Sequence, residues 1–252
     1  MKVLISDKLS KDAVKCFSDN GIETDYKPGI SPEELFEIIY KYEGLAIRSN
    51  TKVTKNLLSN AKNLKIIGRA GIGVDNIDMI EATSKGIIVM NTPLGNSITT
   101  AEHTIAMIMS LARKIPEANS STKEGKWEKT KFIGTEVTGK FLGLIGCGNI
   151  GSIVADRAMG LKMKVLVFDP FLTNEKSKVM GVEKLEFDEL LKKSDIISIH
   201  TPLTETTRNI INKESLKKIK KGSWLINCAR GGLLDEIEVS KALETGQLGG
   251  AA

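Results

Sequence analysis

Several residue types are scarce in this sequence, and each scarcity excludes a class of protein. The three cysteines, Cys16, Cys147 and Cys228, form no even set and no metal-ligand spacing, so neither a disulfide framework nor a zinc cluster is expected. We interpret them as reduced thiols of a cytoplasmic protein. The only histidines, His103 and His200, lie far apart in the sequence, and no metal site is expected.

Long apolar runs and basic runs are also missing. The apolar run after Met1 is too short for a signal peptide, and no stretch approaches the roughly 20 apolar residues that cross a membrane. Lysines are spread along the whole chain, and no basic run is interleaved with aromatic residues, which make up only 5%. The net charge of +5 over 252 residues therefore indicates a solvated lysine-rich surface and no nucleic-acid partner. It is compatible with a small anionic substrate.

Short apolar runs alternate with helical segments along the chain. In the first part, strands are expected at residues 3–5, 23–26, 44–47, 65–67 and 87–90. In the second part, they are expected at residues 141–145, 164–168, 196–200 and 224–227. Helices between short buried strands are typical of parallel sheets that are covered on both faces. We expect two doubly wound α/β domains, at residues 1–97 and 98–252.

Residues 98–115 predict one long helix that ends before Pro116. Its repeated small and apolar residues on one face are Ala101, Ile105, Ile108, Ala112 and Ile115. Since the middle of the segment is nearly uncharged, we expect most of its circumference to be buried. The helix could lie between the two domains or between two subunits. We expect a homodimer or homotetramer formed through it.

The most informative stretch follows the strand at 141–145. Gly146, Gly148 and Gly151 have the G-x-G-x-x-G spacing and open a helix, and Asp169 ends the next apolar run. This is the context of a dinucleotide fingerprint. Gly146 permits the tight turn, Gly148 leaves room for a pyrophosphate, and Gly151 allows close packing of the helix on the strand. Asp169 is placed to bind a ribose diol and to repel a 2′-phosphate, so we expect a Rossmann-type domain that binds NAD.

Polar clusters follow several of the predicted strands. Arg48, Arg69 and Arg230 all fall at carboxyl ends, where open α/β sheets bind their ligands. Any one of them could be a surface residue, but arginine side chains suit carboxylate and phosphate groups. Together with the glycine-rich residues 71–73, whose backbone N–H groups could approach an anion, they predict a cleft for a small polyanion.

These motifs resemble those of the D-2-hydroxyacid dehydrogenase family over essentially the whole chain. The resemblance is carried by RAGIGVDN at 69–76, NTPLGNS at 91–97, GKWEKTKFIG at 125–134 and NCARGGLLD at 227–235. It implies a flavodoxin-like substrate domain beside the NAD domain. Arg69 points, within that family, to a phosphorylated hydroxy acid. The implied reaction is oxidation of 3-phospho-D-glycerate by NAD to 3-phosphohydroxypyruvate, the entry to serine biosynthesis.

The resemblance also implies roles for individual residues. Arg230 would be catalytic, binding the 2-carboxylate and polarising the keto oxygen. The residues that would bind substrate are Arg48, Arg69, Gly71, Ile72, Asn96 and Ser97. The residues that would line the cofactor are Gly146, Gly148, Asn149, Ile150, Gly151, Asp169, His200, Thr201, Pro202, Cys228, Ala229 and Arg230. The roles of Asn149, Thr201 and Cys228 rest on the resemblance alone.

The sequence departs from the family pattern at the group that moves the proton. In the family a His paired with a Glu does this, and neither has a counterpart within these 252 residues. His103 is expected to pack at an interface, and His200 to be structural or to lie at the edge of the cofactor. We therefore expect a truncated chain whose NAD domain lacks its last strand, since none is expected after Gly249. Weak NAD binding and little or no turnover would follow.

Two other functions remain open at this point. One is a D-2-hydroxyacid dehydrogenase that acts on glycerate, lactate or a similar acid, against which Arg69 argues. The other is a non-catalytic regulator that binds NAD. The arginine at 230 argues against a regulator, because a sensor of NAD has no need to hold a carboxylate.

Overall fold

Eleven strands and eleven α-helices alternate along the chain in a computed structural model, which describes residues 1–252. The chain divides into two units, Met1–Asn96 and Ser97–Ala252. All strand pairs in both units are parallel. None of the helices combines the length and apolarity that a membrane span needs.

The first unit is a five-stranded sheet with four helices. Its strands are β1 (Lys2–Ile5), β2 (Glu23–Tyr26), β3 (Gly44–Ile47), β4 (Ile66–Arg69) and β5 (Ile88–Asn91). Its helices are α1 (Lys11–Asp19), α2 (Pro32–Ile38), α3 (Lys55–Asn60) and α4 (Met79–Ser84), and a 3₁₀ turn covers Ile39–Lys41. The strand order β2-β1-β3-β4-β5 is that of flavodoxin-like sheets, which confirms the predicted fold class.

Local sequence signals account for the helix starts in this unit. The hydroxyl of Ser31 accepts the Glu34 N–H at 3.1 Å, and Pro32 occupies the first turn of α2. Ser10, Thr54 and Asp78 cap α1, α3 and α4 in the same way. Such caps satisfy N–H groups that the helix itself leaves unpaired, and each contributes about 1 kcal/mol.

The second unit is a six-stranded sheet with helices on both faces. Its strands are β6 (Phe141–Ile145), β7 (Lys164–Phe168), β8 (Glu183–Lys184), β9 (Ile196–Ile199), β10 (Ser223–Asn227) and β11 (Leu248–Ala251). Its helices are α5 (Ser97–Arg113), α6 (Ile115–Lys123), α7 (Asn149–Gly160), α8 (Asn174–Met180), α9 (Phe187–Lys193), α10 (Lys213–Lys218) and α11 (Glu236–Glu244). A 3₁₀ turn covers Lys129–Phe132.

The order of this sheet is β11-β10-β9-β6-β7-β8. Counted within the unit, it is the 3-2-1-4-5-6 order of Rossmann-type dinucleotide domains. The order reverses between β6 and β9, and the carboxyl ends of those two strands therefore flank the crevice in which such sheets bind ligands.

The expectation that no strand follows the last helix is wrong. Residues Leu248–Ala251 form β11, which pairs with β10 through Trp224 and Leu225. The sequence does not predict this strand, because it contains a Gly-Gly pair and glycine is depleted in strands. The Gly-Gly pair also permits a close approach: a Cβ on Gly249 would lie 2.4 Å from the carbonyl oxygen of Gly222.

The long helix also differs from its prediction at residues 98–115. Helix α5 ends at Arg113, Lys114 adopts a left-handed φ of 52°, and α6 begins at Ile115 with Pro116 in its first turn. Proline is favourable in a first turn, so Pro116 starts a second helix instead of following the end of the first. Ile115 leaves the buried stripe and is 50% exposed. Several other α5 side chains are half-buried, so burial covers less of the circumference than expected.

Candidate functional site

The loop between β6 and α7 is tight on one side and open on the other. Gly146 has a φ of 93°, and a Cβ there would lie 2.8 Å from the carbonyl oxygen of His200. A Cβ on Gly151 would lie 2.4 Å from the carbonyl oxygen of Gly146. A Cβ on Gly148 would have no heavy atom within 4 Å. Gly146 and Gly151 thus permit packing, and Gly148 keeps a space open.

Helix α7 presents a bare N-terminus to this space. Gly148 is its N-cap residue, and no side chain caps the first N–H groups. Asn149, which is exposed, and the half-buried Ile150 follow in the first turn. Uncapped N–H groups and the positive end of the helix dipole are suited to a phosphate.

Asp169 is held in one orientation at the end of β7. Its Oδ2 accepts the N–H of Cys147 at 2.7 Å, and its Oδ1 accepts the N–H of Phe171 at 2.8 Å. Each oxygen keeps a second lone pair, so the carboxylate can still accept hydrogen bonds from a ribose diol. Burial, with the negative charge of Asp169, raises the pKa of the Cys147 thiol to about 11. Cys147 is therefore an uncharged residue of the core.

The end of β9 lies against the glycine loop. Nε2 of His200 is 2.9 Å from the Ser198 hydroxyl, and burial lowers the pKa of His200 to about 4. The next residue, Thr201, has a buried hydroxyl without a hydrogen-bond partner. Buried polar atoms are nearly always satisfied, so this hydroxyl indicates a missing ligand or water. Pro202 follows it and is exposed.

The end of β10 carries the predicted catalytic arginine. The Asn227 amide donates to the carbonyl of Arg230 at 2.8 Å and accepts the N–H of Ala229 at 3.1 Å. This side chain closes the turn that contains Cys228, Ala229 and Arg230, all of which are half-buried. The guanidinium of Arg230 donates to the carbonyl of Ala229 at 2.9 Å.

The predicted cofactor residues therefore lie at the carboxyl ends of neighbouring strands in one sheet. An open space above Gly148, an uncapped helix N-terminus, a fixed carboxylate at Asp169 and an unsatisfied hydroxyl at Thr201 are all present. These features fit the pyrophosphate and a ribose of NAD.

In the first unit, a buried carboxylate that the sequence analysis missed holds the loop after β3. Oδ2 of Asp7 accepts the N–H of Arg48 at 2.6 Å and the N–H of Thr51 at 3.2 Å. The amide of Asn76 donates to the carbonyl groups of Arg48 and Thr51, both at 2.7 Å. Asp7 follows β1, so the rule that pointed to Arg48 could have pointed to it.

Arg69 lies at the end of the strand next to β3, because Ile47 and Arg69 pair in register. Its side chain is buried and donates to the carbonyl of Gly73. The loop is fixed further by Asn91, which donates to the carbonyl of Ile72 at 2.6 Å. Arg48 and Arg69 are thus brought to adjacent strand ends.

Gly71, Asn96 and Ser97 complete the predicted substrate residues. The carbonyl of Gly71 accepts the N–H of Thr92 at 3.0 Å. Asn96 is exposed, and Ser97 is buried with an unsatisfied hydroxyl. Asn96 ends the first unit, whereas Ser97 begins the second unit, to which Arg230 also belongs.

Comparison with known proteins gives related sequences and structures. The chain is 48% identical over 252 residues to D-3-phosphoglycerate dehydrogenase of Archaeoglobus fulgidus, and 49% identical over 251 residues to that of Bacillus subtilis. It is covered completely in both cases but spans only 48% and 47% of these relatives, about half of their length.

A solved structure of Aquifex aeolicus D-lactate dehydrogenase, complexed with NAD and lactic acid, is 29% identical with a TM-score of 0.88. That match covers 100% of this chain and 75% of the other. Residues 105–252 match the family model described as D-isomer specific 2-hydroxyacid dehydrogenase, NAD binding domain. The chain belongs to the D-isomer specific 2-hydroxyacid dehydrogenase family and carries its NAD-binding domain.

Proposed function

We propose that the protein acts in the NAD-dependent oxidation of 3-phospho-D-glycerate to 3-phosphohydroxypyruvate, the first step of serine biosynthesis. The observation that carries this proposal is the 48–49% identity to two proteins named D-3-phosphoglycerate dehydrogenase. It extends over both units, so it includes the arginine-bearing strand ends of the first unit as well as the NAD-binding domain.

We propose that the first unit binds the anionic groups of the substrate. Arg48 and Arg69 would supply positive charge from adjacent strand ends, and the backbone at Gly71 and Ile72 would approach the same groups. Asn96 and Ser97 would line the cleft. The support for Ser97 is its buried hydroxyl, which has no partner in the chain.

On the cofactor side, NAD supplies the hydride acceptor when it is bound. Gly146, Gly148, Asn149, Ile150 and Gly151 would hold the pyrophosphate, and Asp169 the ribose diol. The remaining residues proposed to line the cofactor are His200, Thr201, Pro202, Cys228, Ala229 and Arg230. We propose that Arg230 is catalytic: it would bind the 2-carboxylate and stabilise the negative charge that develops on the C2 oxygen as hydride leaves.

Oxidation of the alcohol also requires a group that takes up the hydroxyl proton. His200 is a poor base for this, because burial lowers its pKa to about 4. His103 is exposed on α5, and the buried residues of that helix pack in the core of the NAD-binding unit. Lack of a general base reduces rates by roughly 10²–10⁴-fold, so we expect the 252-residue protein to turn over slowly.

We further propose a cytoplasmic homodimer or homotetramer that contacts through residues 98–115. Half-buried apolar side chains on α5, among them Ile105 and Met109, support this, because subunit contact would cover them further. Light scattering of the wild type beside an Ala106→Glu variant tests it. Ala106 is exposed on α5, and a charge there would weaken such a contact.

The function is tested by following NADH absorbance with 3-phosphoglycerate, D-glycerate and D-lactate as substrates. The Bacillus subtilis relative serves as the reference for rate, and Arg230→Gln serves as the variant without the proposed catalytic group. Turnover of the phosphorylated acid alone, lost in Arg230→Gln, supports the proposal. Faster turnover of glycerate or lactate would instead assign another substrate in the family. NAD binding without NADH formation, in an assay that detects rates about 10⁴-fold below that of the reference, would favour a regulator.

A further inference from the structure

A cavity of about 200 Å³ opens at the amino-terminal edge of the six-stranded sheet, opposite the glycine loop. Its side chains come from segments that precede β6, β9 and β10 and from the start of β10. The residues that line it include Thr135, Lys140, Asp195, Lys220, Lys221 and Trp224. Because β6 is five residues long, the cavity lies roughly 17 Å from the glycine loop and is separate from the NAD site.

The charges in this cavity do not cancel. Lys220 neutralises Asp195, since its Nζ lies 2.6 Å from Oδ1, while Oδ2 accepts the N–H of Phe141 at 2.9 Å. Each oxygen of the carboxylate thus accepts one hydrogen bond. Lys140 and Lys221 form no ion pair with any carboxylate of the chain. Three lysines and one carboxylate therefore give the lining of the cavity a net charge of +2, next to the neutral indole of Trp224.

We propose that this cavity binds a phosphate dianion, either free or as the ester of a small hydroxylated molecule. The net charge of +2 on the lining matches the two charges of phosphate, and lysine is a compact charge suited to phosphate oxygens. The hydroxyl of Thr135 and the indole of Trp224 provide polar and apolar contacts for the organic part of an ester. The volume well exceeds what one water molecule requires.

Trp224 makes the proposal directly measurable. The protein has two tryptophans, and Trp127 is 85% exposed in a loop, so a Trp127→Phe background leaves Trp224 as the only indole reporter. In this background the fluorescence is titrated with glycerol 3-phosphate, inorganic phosphate and sulfate, and calorimetry repeats each titration. The arginines of the first unit could also bind a phosphate, so the fluorescence of Trp224, which lines the cavity, assigns the response to this site.

A double variant, Lys140→Gln with Lys221→Gln, removes the net charge of +2 from the lining. The matched control is Lys178→Gln with Lys192→Gln, which removes the same charge from two exposed lysines of the same unit that form no ion pair. We expect saturable binding that weakens by about tenfold or more in the first variant and is unchanged in the second. Thermal melts verify that both variants fold.

The ligands separate the possible sources of the phosphate. Tighter binding of glycerol 3-phosphate than of inorganic phosphate identifies an organic ester, and equal binding identifies free phosphate. Absence of saturable binding by fluorescence and calorimetry would overturn the proposal. So would equal binding of sulfate, or equal weakening in the two double variants, because either result would reflect the general positive charge of the surface.

Discussion

The backbone N–H of Cys147 donates to Oδ2 of Asp169 at 2.7 Å, which ties the end of β7 to the glycine loop after β6. The acid that would select the ribose is therefore fixed by the same loop that would bind the pyrophosphate. The N–H of Phe171 fixes the second oxygen at 2.8 Å. Selectivity for the cofactor thus depends on backbone geometry as well as on the charge of Asp169.

Replacing Asp169 separates its charge from its hydrogen bonds. Asp169→Asn keeps one oxygen acceptor but loses the negative charge, so we expect weaker NAD binding and a smaller preference for NAD over NADP. Asp169→Ala also releases both N–H groups and should weaken NAD binding further, by about tenfold or more. Calorimetric titration with both dinucleotides measures this. If the ratio of the affinities for NAD and NADP is unchanged in Asp169→Asn, the carboxylate does not select the cofactor.

Two glycines of the loop should respond differently to a single methyl group. In Gly151→Ala the Cβ would lie 2.4 Å from the carbonyl oxygen of Gly146, so α7 must shift, and we expect roughly 1–3 kcal/mol of destabilisation. In Gly148→Ala the Cβ meets no atom of the protein, and the melting temperature should change little. NAD binding should still weaken, because the methyl group occupies the open space.

Denaturant unfolding and NAD titration of both glycine variants check this contrast. Loss of stability without loss of NAD affinity in Gly148→Ala would mean that the pyrophosphate lies elsewhere.

Most of the architecture could be predicted because short segments of the sequence determine it. The apolar runs that became β6 and β7, and the capping signal at Ser31, each act within a few residues. Strand β11 could not be predicted in this way, since its Gly-Gly pair has little strand preference and pairing with β10 holds it in place. The break at Lys114 was missed for a related reason: Pro116 fits both the end of one helix and the first turn of another.

In the site, the sequence pattern predicted that the charged residues lie at strand ends. It did not indicate the residues that hold their loops in place. Asp7 and Asn76 hold the Arg48 loop through backbone atoms, and such contacts leave no periodic pattern in a sequence. The unpaired hydroxyl of Thr201 likewise depends on what surrounds it in three dimensions.

Asn76 provides a test of how that loop is held. Its amide donates to two carbonyl groups, so Asn76→Ala leaves both acceptors without this partner, and we expect about 1–3 kcal/mol of destabilisation. Asn76→Asp should destabilise more, because a carboxylate places oxygen and negative charge against two carbonyl oxygens. Urea unfolding at pH 7 measures both. Greater stability of the Asp variant than of the Ala variant would contradict the donor role of this amide.

The half-buried imidazole of His200 should make stability depend on pH. Its pKa is lowered from 6.5 to about 4 in the folded protein, so between these values the unfolded chain binds the proton more readily. Titration of this group therefore leaves the free energy of unfolding unchanged above pH 6.5. As the pH falls from 6.5 toward 4, it lowers the free energy of unfolding by up to about 1.4 kcal/mol per pH unit. His200→Gln cannot titrate, and the decrease over this window should be smaller in the variant than in the wild type. Urea midpoints from pH 7 to 4 measure the difference, and parallel curves for the two proteins would show that His200 does not titrate as a buried group.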